Sequence, residues 1–88
     1  MPMFLDHAKQ ELILLTPGEA QPRIIRYADI AEVTLGCTDP NGSEGFYIRF
    51  QLRTDPPAEH ALWFGISEVQ RNQAYERVMA ALKLLKQP

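Results

Sequence analysis

The chain predicts an α+β fold: a curved antiparallel β-sheet or partial barrel of five to seven strands, capped by one C-terminal α-helix. Three features carry that expectation. Phe46, Ile48, Phe50 and Leu52 alternate with Tyr47, Arg49, Gln51 and Arg53, which is the period of a strand buried on one face. Asp55-Pro56-Pro57-Ala58 interrupts the pattern, because proline lacks a ladder donor and presets a turn, and Leu62, Phe64 and Ile66 then resume it. Tyr75, Val78, Met79, Leu82 and Leu85 next fall within about one third of a helix circumference, a stripe that must lie on something apolar.

Taken in order, the elements begin with a short strand near Phe4. Glu11 to Thr16 contains the unbroken run Leu12-Ile13-Leu14-Leu15, stopped by Pro17-Gly18, and its length favours a strand buried on both faces over a short helix. Arg23 to Tyr27 is a short β-prone piece, and Asp29 to Thr38 a longer one in which Val33, Leu35 and Cys37 share a face. Asp39-Pro40-Asn41-Gly42 supplies the proline and the positive-φ residues of a reversal before Phe46 to Thr54. For the hairpin that follows, the pattern predicts Leu52 opposite Leu62, Phe50 opposite Phe64 and Ile48 opposite Ile66 inside, with Gln51 opposite Trp63 and Arg49 opposite Gly65 outside. Ser67 with Gln70 has the form of a capping box, and Asn72 is a second possible helix start. Lys83 and Lys86 suit the negative end of the helix dipole, and Pro88 cannot extend the helix.

Eighty-eight residues without a repeat or linker fit a single domain over 1–88, of a size that buries roughly 60–65% of its unfolded surface. Nine basic and eleven acidic residues give a net charge of −2 with no long run of either sign, which argues against a nucleic-acid partner. The single Cys37 cannot form an internal disulfide. The start Met1-Pro2-Met3-Phe4-Leu5-Asp6-His7 lacks the basic and apolar segments of a targeting leader, so a cytoplasmic location is expected.

The run Ile25-Arg26-Tyr27-Ala28-Asp29-Ile30-Ala31-Glu32-Val33 resembles a pattern of pleckstrin-homology-like and GRAM-type domains, in which a short strand and polar turn precede an isoleucine and, three residues on, a valine opening the next strand. The order long strand, hairpin, C-terminal helix also resembles that superfamily, over about Arg23 to Leu85. The resemblance implies a bent antiparallel barrel with the helix at its open end. Family barrels have seven strands, whereas six are countable here, and phosphoinositide-binding members carry basic residues around the first loop, where this chain has only Lys9.

The expected function is binding without catalysis or cofactor, with a protein partner or a second copy of the chain. Trp63 lies on the outer face of its strand, and the predicted register puts Tyr47, Arg49, Gln51 and Arg53 within direct or diagonal reach, an aromatic and arginine grouping typical of interface hot spots. The alternative is that an N-terminal strand or a second layer covers Trp63 as core. Rival functions are a peripheral membrane or phosphoinositide binder, disfavoured by the acidic balance, and a small hydrolase using Cys37 with His60, for which no oxyanion loop is recognisable. A metal site built on His7 and His60 would need Asp6 or Glu59, neighbours that are usually solvated. Leu84 with Ala80 offers a second apolar helix surface. A six-stranded sheet leaves an open edge, either the strand holding Leu12 to Leu15 or the Arg23 to Tyr27 piece, so pairing at an edge or at Trp63 predicts a homo-oligomer.

Overall fold

A computed structural model describes residues 3–15, 18–38 and 45–85, the side chains as far as Lys83. Its strands are β1 (Met3–Asp6), β2 (Glu11–Leu14), β3 (Arg23–Arg26), β4 (Ile30–Cys37), β5 (Phe46–Leu52) and β6 (Glu59–Trp63), followed by helix α1 (Glu68–Leu85). A 3-10 turn at Tyr27–Asp29 joins β3 to β4. The six expected strands and the helix are therefore present, but the strands divide into two antiparallel three-stranded sheets, β1-β2-β3 and β4-β5-β6, and do not close a barrel. The reversal expected at Asp39-Pro40-Asn41-Gly42 and the helix-end roles of Lys86 and Pro88 lie outside the described residues.

Each sheet turns one face inward. Leu12, Leu14 and Ile25 from the N-terminal sheet and Ile48, Phe50, Leu52 and Leu62 from the C-terminal sheet share one core with Met3, Tyr27, Ile30 and Phe64. β2 is the middle strand of its sheet, not an edge, because both of its sides are taken by β1 and β3. That corrects the expectation of an open edge there. Nor is the run Leu12 to Leu15 buried on both faces, since Leu12 and Leu14 are core while Leu15, just past the end of β2, is 41% exposed.

In β4 the ladder slips at Ala31, so that Ile30 faces Leu52 and Glu32 faces Gln51. A regular strand would send Ile30 and Val33, three apart, to opposite sides; the extra residue of the bulge brings both to the core side. Val33 pairs with Phe50, Leu35 with Ile48 and Cys37 with Phe46, the shared face that alternation predicts.

The β5–β6 register differs from expectation. Ile48 faces Leu62, Phe50 faces His60, Arg49 faces Ala61, Gln51 faces Glu59 and Tyr47 faces Trp63. The turn is tighter than the apolar pattern implied, because the Leu52 N–H already donates to the Ala58 carbonyl at 2.8 Å. His60 therefore takes the place opposite Phe50 where the apolar pattern had put Phe64, and Ile66 is left in the turn before α1, 81% exposed. The slip is even, so no side chain changes face. Phe50 and Phe64 are both buried, as expected, but they are not opposed in the ladder.

α1 starts where Ser67 Oγ accepts the Gln70 N–H at 3.2 Å, a side-chain cap; Asn72 lies inside the helix. Its buried line is Arg71, Ala74, Val78 and Ala81, with Tyr75 and Leu82 packed beside it and Met79 39% exposed. That line is turned by roughly 55° from the predicted stripe, at 3.6 residues per turn. The alanines let the helix axis approach the sheets, and the larger side chains flank the contact. Leu84 and Leu85, from the predicted surfaces, fall outside the described side chains.

Candidate functional site

Odd-numbered residues of β5 point away from the core and define an outward face on the C-terminal sheet. The register lays it out in cross-strand rows: Gly36, Tyr47 and Trp63; Thr34, Arg49 and Ala61; Glu32, Gln51 and Glu59. Trp63 is 51% exposed, so no strand or second layer covers it. Its indole packs on the Tyr47 ring at a centroid distance of 4.9 Å, with the planes tilted by 49°. The Arg49 guanidinium lies 5.4 Å from the same ring, donates from Nη2 to the Tyr47 hydroxyl at 3.1 Å, and pairs through Nε with Glu59 at 3.1 Å. Two aromatic rings and a cation are thus held in place by their own contacts.

Tyr47 keeps its position because its row partner is glycine. A Cβ on Gly36 would overlap the Tyr47 ring. On the core side of the same strand, Arg71 of α1 donates from Nη1 to the Gly36 carbonyl at 2.9 Å, stacks 4.8 Å over the Phe46 ring, and donates from Nε and Nη2 to Asn72 Oδ1 at 3.1 and 3.0 Å. Arg71 is 9% exposed. Sequence reasoning missed it, although an arginine in register with Ala74, Val78 and Ala81 is the signal that could have found it. It ties the helix to the row that carries Tyr47.

The other two residues expected at this surface lie further off. Four and six residues from Tyr47 along an extended chain put Gln51 roughly 13 Å and Arg53 roughly 20 Å away, out of reach of Trp63. The slipped register is the reason. Gln51 sits between Glu32 and Glu59. Arg53 donates its backbone N–H to the Asp29 carbonyl at 2.8 Å and lines an open, mostly apolar groove of about 660 Å³ with Ile30, Val33, Met79, Leu82 and Lys83.

Cys37 and His60 lie on the two strands flanking β5, opposite Phe46 and Phe50 respectively. Four residues along and two strand spacings across place them roughly 16 Å apart, too far for a nucleophile and its base. His60 Nδ1 instead accepts from Arg23 Nη1 at 3.3 Å, a contact joining an edge strand of each sheet, while Arg23 also pairs with Glu19 at 3.3 Å. Burial, and then the Arg23 charge, holds the His60 pKa below its ordinary 6.5, with Glu19 opposing. His7 lies by Tyr27, its Nδ1 3.5 Å from the hydroxyl, and burial followed by Asp6 raises the Tyr27 pKa above 10.0. Among the described residues no group of three or more histidine, cysteine or acidic side chains is placed to hold a metal ion. No described helix is long and apolar enough to cross a membrane.

Comparison with protein-family models, with curated proteins and with solved structures finds no match for this chain.

Proposed function

We propose that this chain is a non-catalytic interaction module, pleckstrin-homology-like in descent and cytoplasmic, that acts through contact with another protein or with a second copy of itself. The observation that carries the reading is the half-exposed Trp63 packed on Tyr47 beneath Arg49. Tryptophan, tyrosine and arginine dominate interface hot spots, and a group already ordered by its own contacts loses little conformational freedom on binding. The family assignment draws on the six antiparallel strands followed by a helix and on the Ile30 to Val33 spacing at the start of β4. The cytoplasmic assignment draws on cysteine use, since small disulfide-built domains of oxidising compartments carry several cysteines and this chain carries one. Binding of lipid headgroups has less behind it, since the turn between β1 and β2 carries Lys9 as its one lysine or arginine, with Asp6 and Glu11 on either side.

The test is a photo-reactive residue at Ala61, beside Trp63 on β6, with a control at Glu76 on the outward side of α1. In cells the Ala61 probe is expected to give one discrete protein adduct, which Trp63→Ala abolishes. Equal labelling from both positions, or an adduct indifferent to Trp63→Ala, would remove the reading.

A further inference from the structure

The outward face of the N-terminal sheet is apolar where such faces are usually polar. Register places Phe4, Ile13 and Ile24 side by side across β1, β2 and β3, and Leu15 follows Ile13 on the same side. Phe4 is 53%, Ile24 58% and Leu15 41% exposed. The run Leu12 to Leu15 thus has the composition of a strand covered on both faces, yet among the described residues only one of its faces is packed into the core. The next row on that face is Asp6, Glu11 and Arg26, acidic on β1 and β2 and basic on β3.

We propose that a second copy of this chain covers this face, sheet against sheet, about a two-fold axis running along β2. The proposal rests on the reading of the chain as an interaction module and identifies one partner and one surface for it. An axis along β2 exchanges β1 with β3 and keeps the rows level. Phe4 then lies over Ile24 of the second copy, Ile13 over Ile13, and Asp6 over Arg26, so apolar meets apolar and acid meets base twice. A two-fold across the strands through the apolar row would instead lay the charged row over the Leu15 end. The match of charge about β2 is what selects a copy as occupant, since only self-contact calls for self-complementary rows. The partner sheet would stand about 10 Å away, the spacing of packed sheets. Glu11, on the axis, faces its own counterpart and is the one repulsive contact, next to Arg26 of its own sheet. Three strands of four residues make a face of roughly 14 by 13 Å, so the dimer belongs to the weak, concentration-dependent class.

The experiment follows native mass by sedimentation from micromolar to millimolar concentration on the full chain. Wild type is expected to pass from one copy to two. Asp6→Arg sets guanidinium over guanidinium at both ends of the charged row, and Arg26→Asp sets carboxylate over carboxylate there, so each alone should weaken the dimer about tenfold or more. Mixed in equal amounts, the two variants place opposite charges at both of these facing positions and should recover dimerisation. Asp6 also accepts the Lys9 N–H at 3.1 Å in its turn, so Ile24→Ser, which disturbs no such bond, is the companion variant and should likewise weaken the dimer. A chain monomeric at every concentration overturns the proposal, and so does a mixture that stays monomeric while each variant folds. A dimer broken by Trp63→Ala and indifferent to Ile24→Ser also overturns it, while leaving the interaction module and its Trp63 surface standing.

Discussion

The outward side of the C-terminal sheet carries Tyr47, Arg49, Gln51 and Trp63, and that of the N-terminal sheet carries Phe4, Ile13, Leu15 and Ile24. Inward, the two sheets are alike, with Leu12, Leu14 and Ile25 on one and Ile48, Phe50 and Leu62 on the other, all within one core. The inward faces answer to a single demand, removal of apolar area from water, so they converge on the same residue types. The outward faces carry no such common demand, and they differ. One is a partly polar surface ordered by stacking and a guanidinium, and the other is a bare apolar row bordered by charge. The difference teaches that alike inward faces can back outward faces of unlike chemistry, and that α1 is tied to the row carrying Tyr47 and Trp63 by the bond from Arg71 to Gly36.

The largest effect should come from breaking what the sheets share. Phe50 is fully buried at the middle of the longer sheet, and Phe50→Ala should cost about 3–5 kcal/mol through lost transfer energy and a cavity. Leu12 is its counterpart in the shorter sheet, and Leu12→Ala should cost about 2–5 kcal/mol. Urea unfolding checks both. If the Leu12 variant unfolds at its own midpoint with the C-terminal sheet intact, the single shared core is wrong.

A smaller effect separates the sheets. Arg71→Met keeps the stem of the side chain but leaves the Gly36 carbonyl without its donor, at an expected cost of about 1–3 kcal/mol. Emission from Trp63, the chain's single tryptophan, should shift before global unfolding as the Gly36, Tyr47 and Trp63 row loosens. A variant with wild-type stability and unchanged emission would show that α1 does not support that face.

The smallest expected effect lies where the sheets touch. His60 is held below its ordinary 6.5 by burial and by Arg23, so the unfolded chain takes up a proton on His60 more readily than the folded one. The sign follows directly: the stability tied to neutral His60 is whole above pH 6.5 and falls as pH drops through the lower folded value. Melting temperatures of wild type and His60→Gln, compared between neutral and mildly acidic pH, isolate this from the carboxylates. The wild type should lose more on acidification, and parallel curves would show that folding does not hold His60 below its ordinary pKa.

Element types were readable from the chain, because alternation, proline and a serine cap act within a few residues, whereas strand ends shifted, β5 stopping at Leu52 and β6 at Trp63 where the pattern ran on to Thr54 and Ile66. The inward set Ile48, Phe50 and Leu52 and the shared face of Val33, Leu35 and Cys37 depend on local periodicity alone, while of the two helix starts that the chain offered, Ser67 and Asn72, the structure takes the first. The outward position of Trp63 was also legible, since the parity of a strand survives a slip of register by an even number of residues. Its companions were not. Whether Tyr47 or Gln51 stands opposite Trp63 depends on how tightly the chain turns between Leu52 and Glu59, and the apolar pattern offered no reason for His60 to stand opposite Phe50. The division of six strands into two sheets, the bulge at Ala31 that carries Ile30 and Val33 to one side, and the burial of Arg71 against Gly36 and Phe46 were likewise decided by tertiary structure. Each depends on which distant segment arrives at a given place. Local sequence sets the period and parity of an element, whereas register, helix rotation and the partners of a buried charge are settled by packing between elements far apart in the chain.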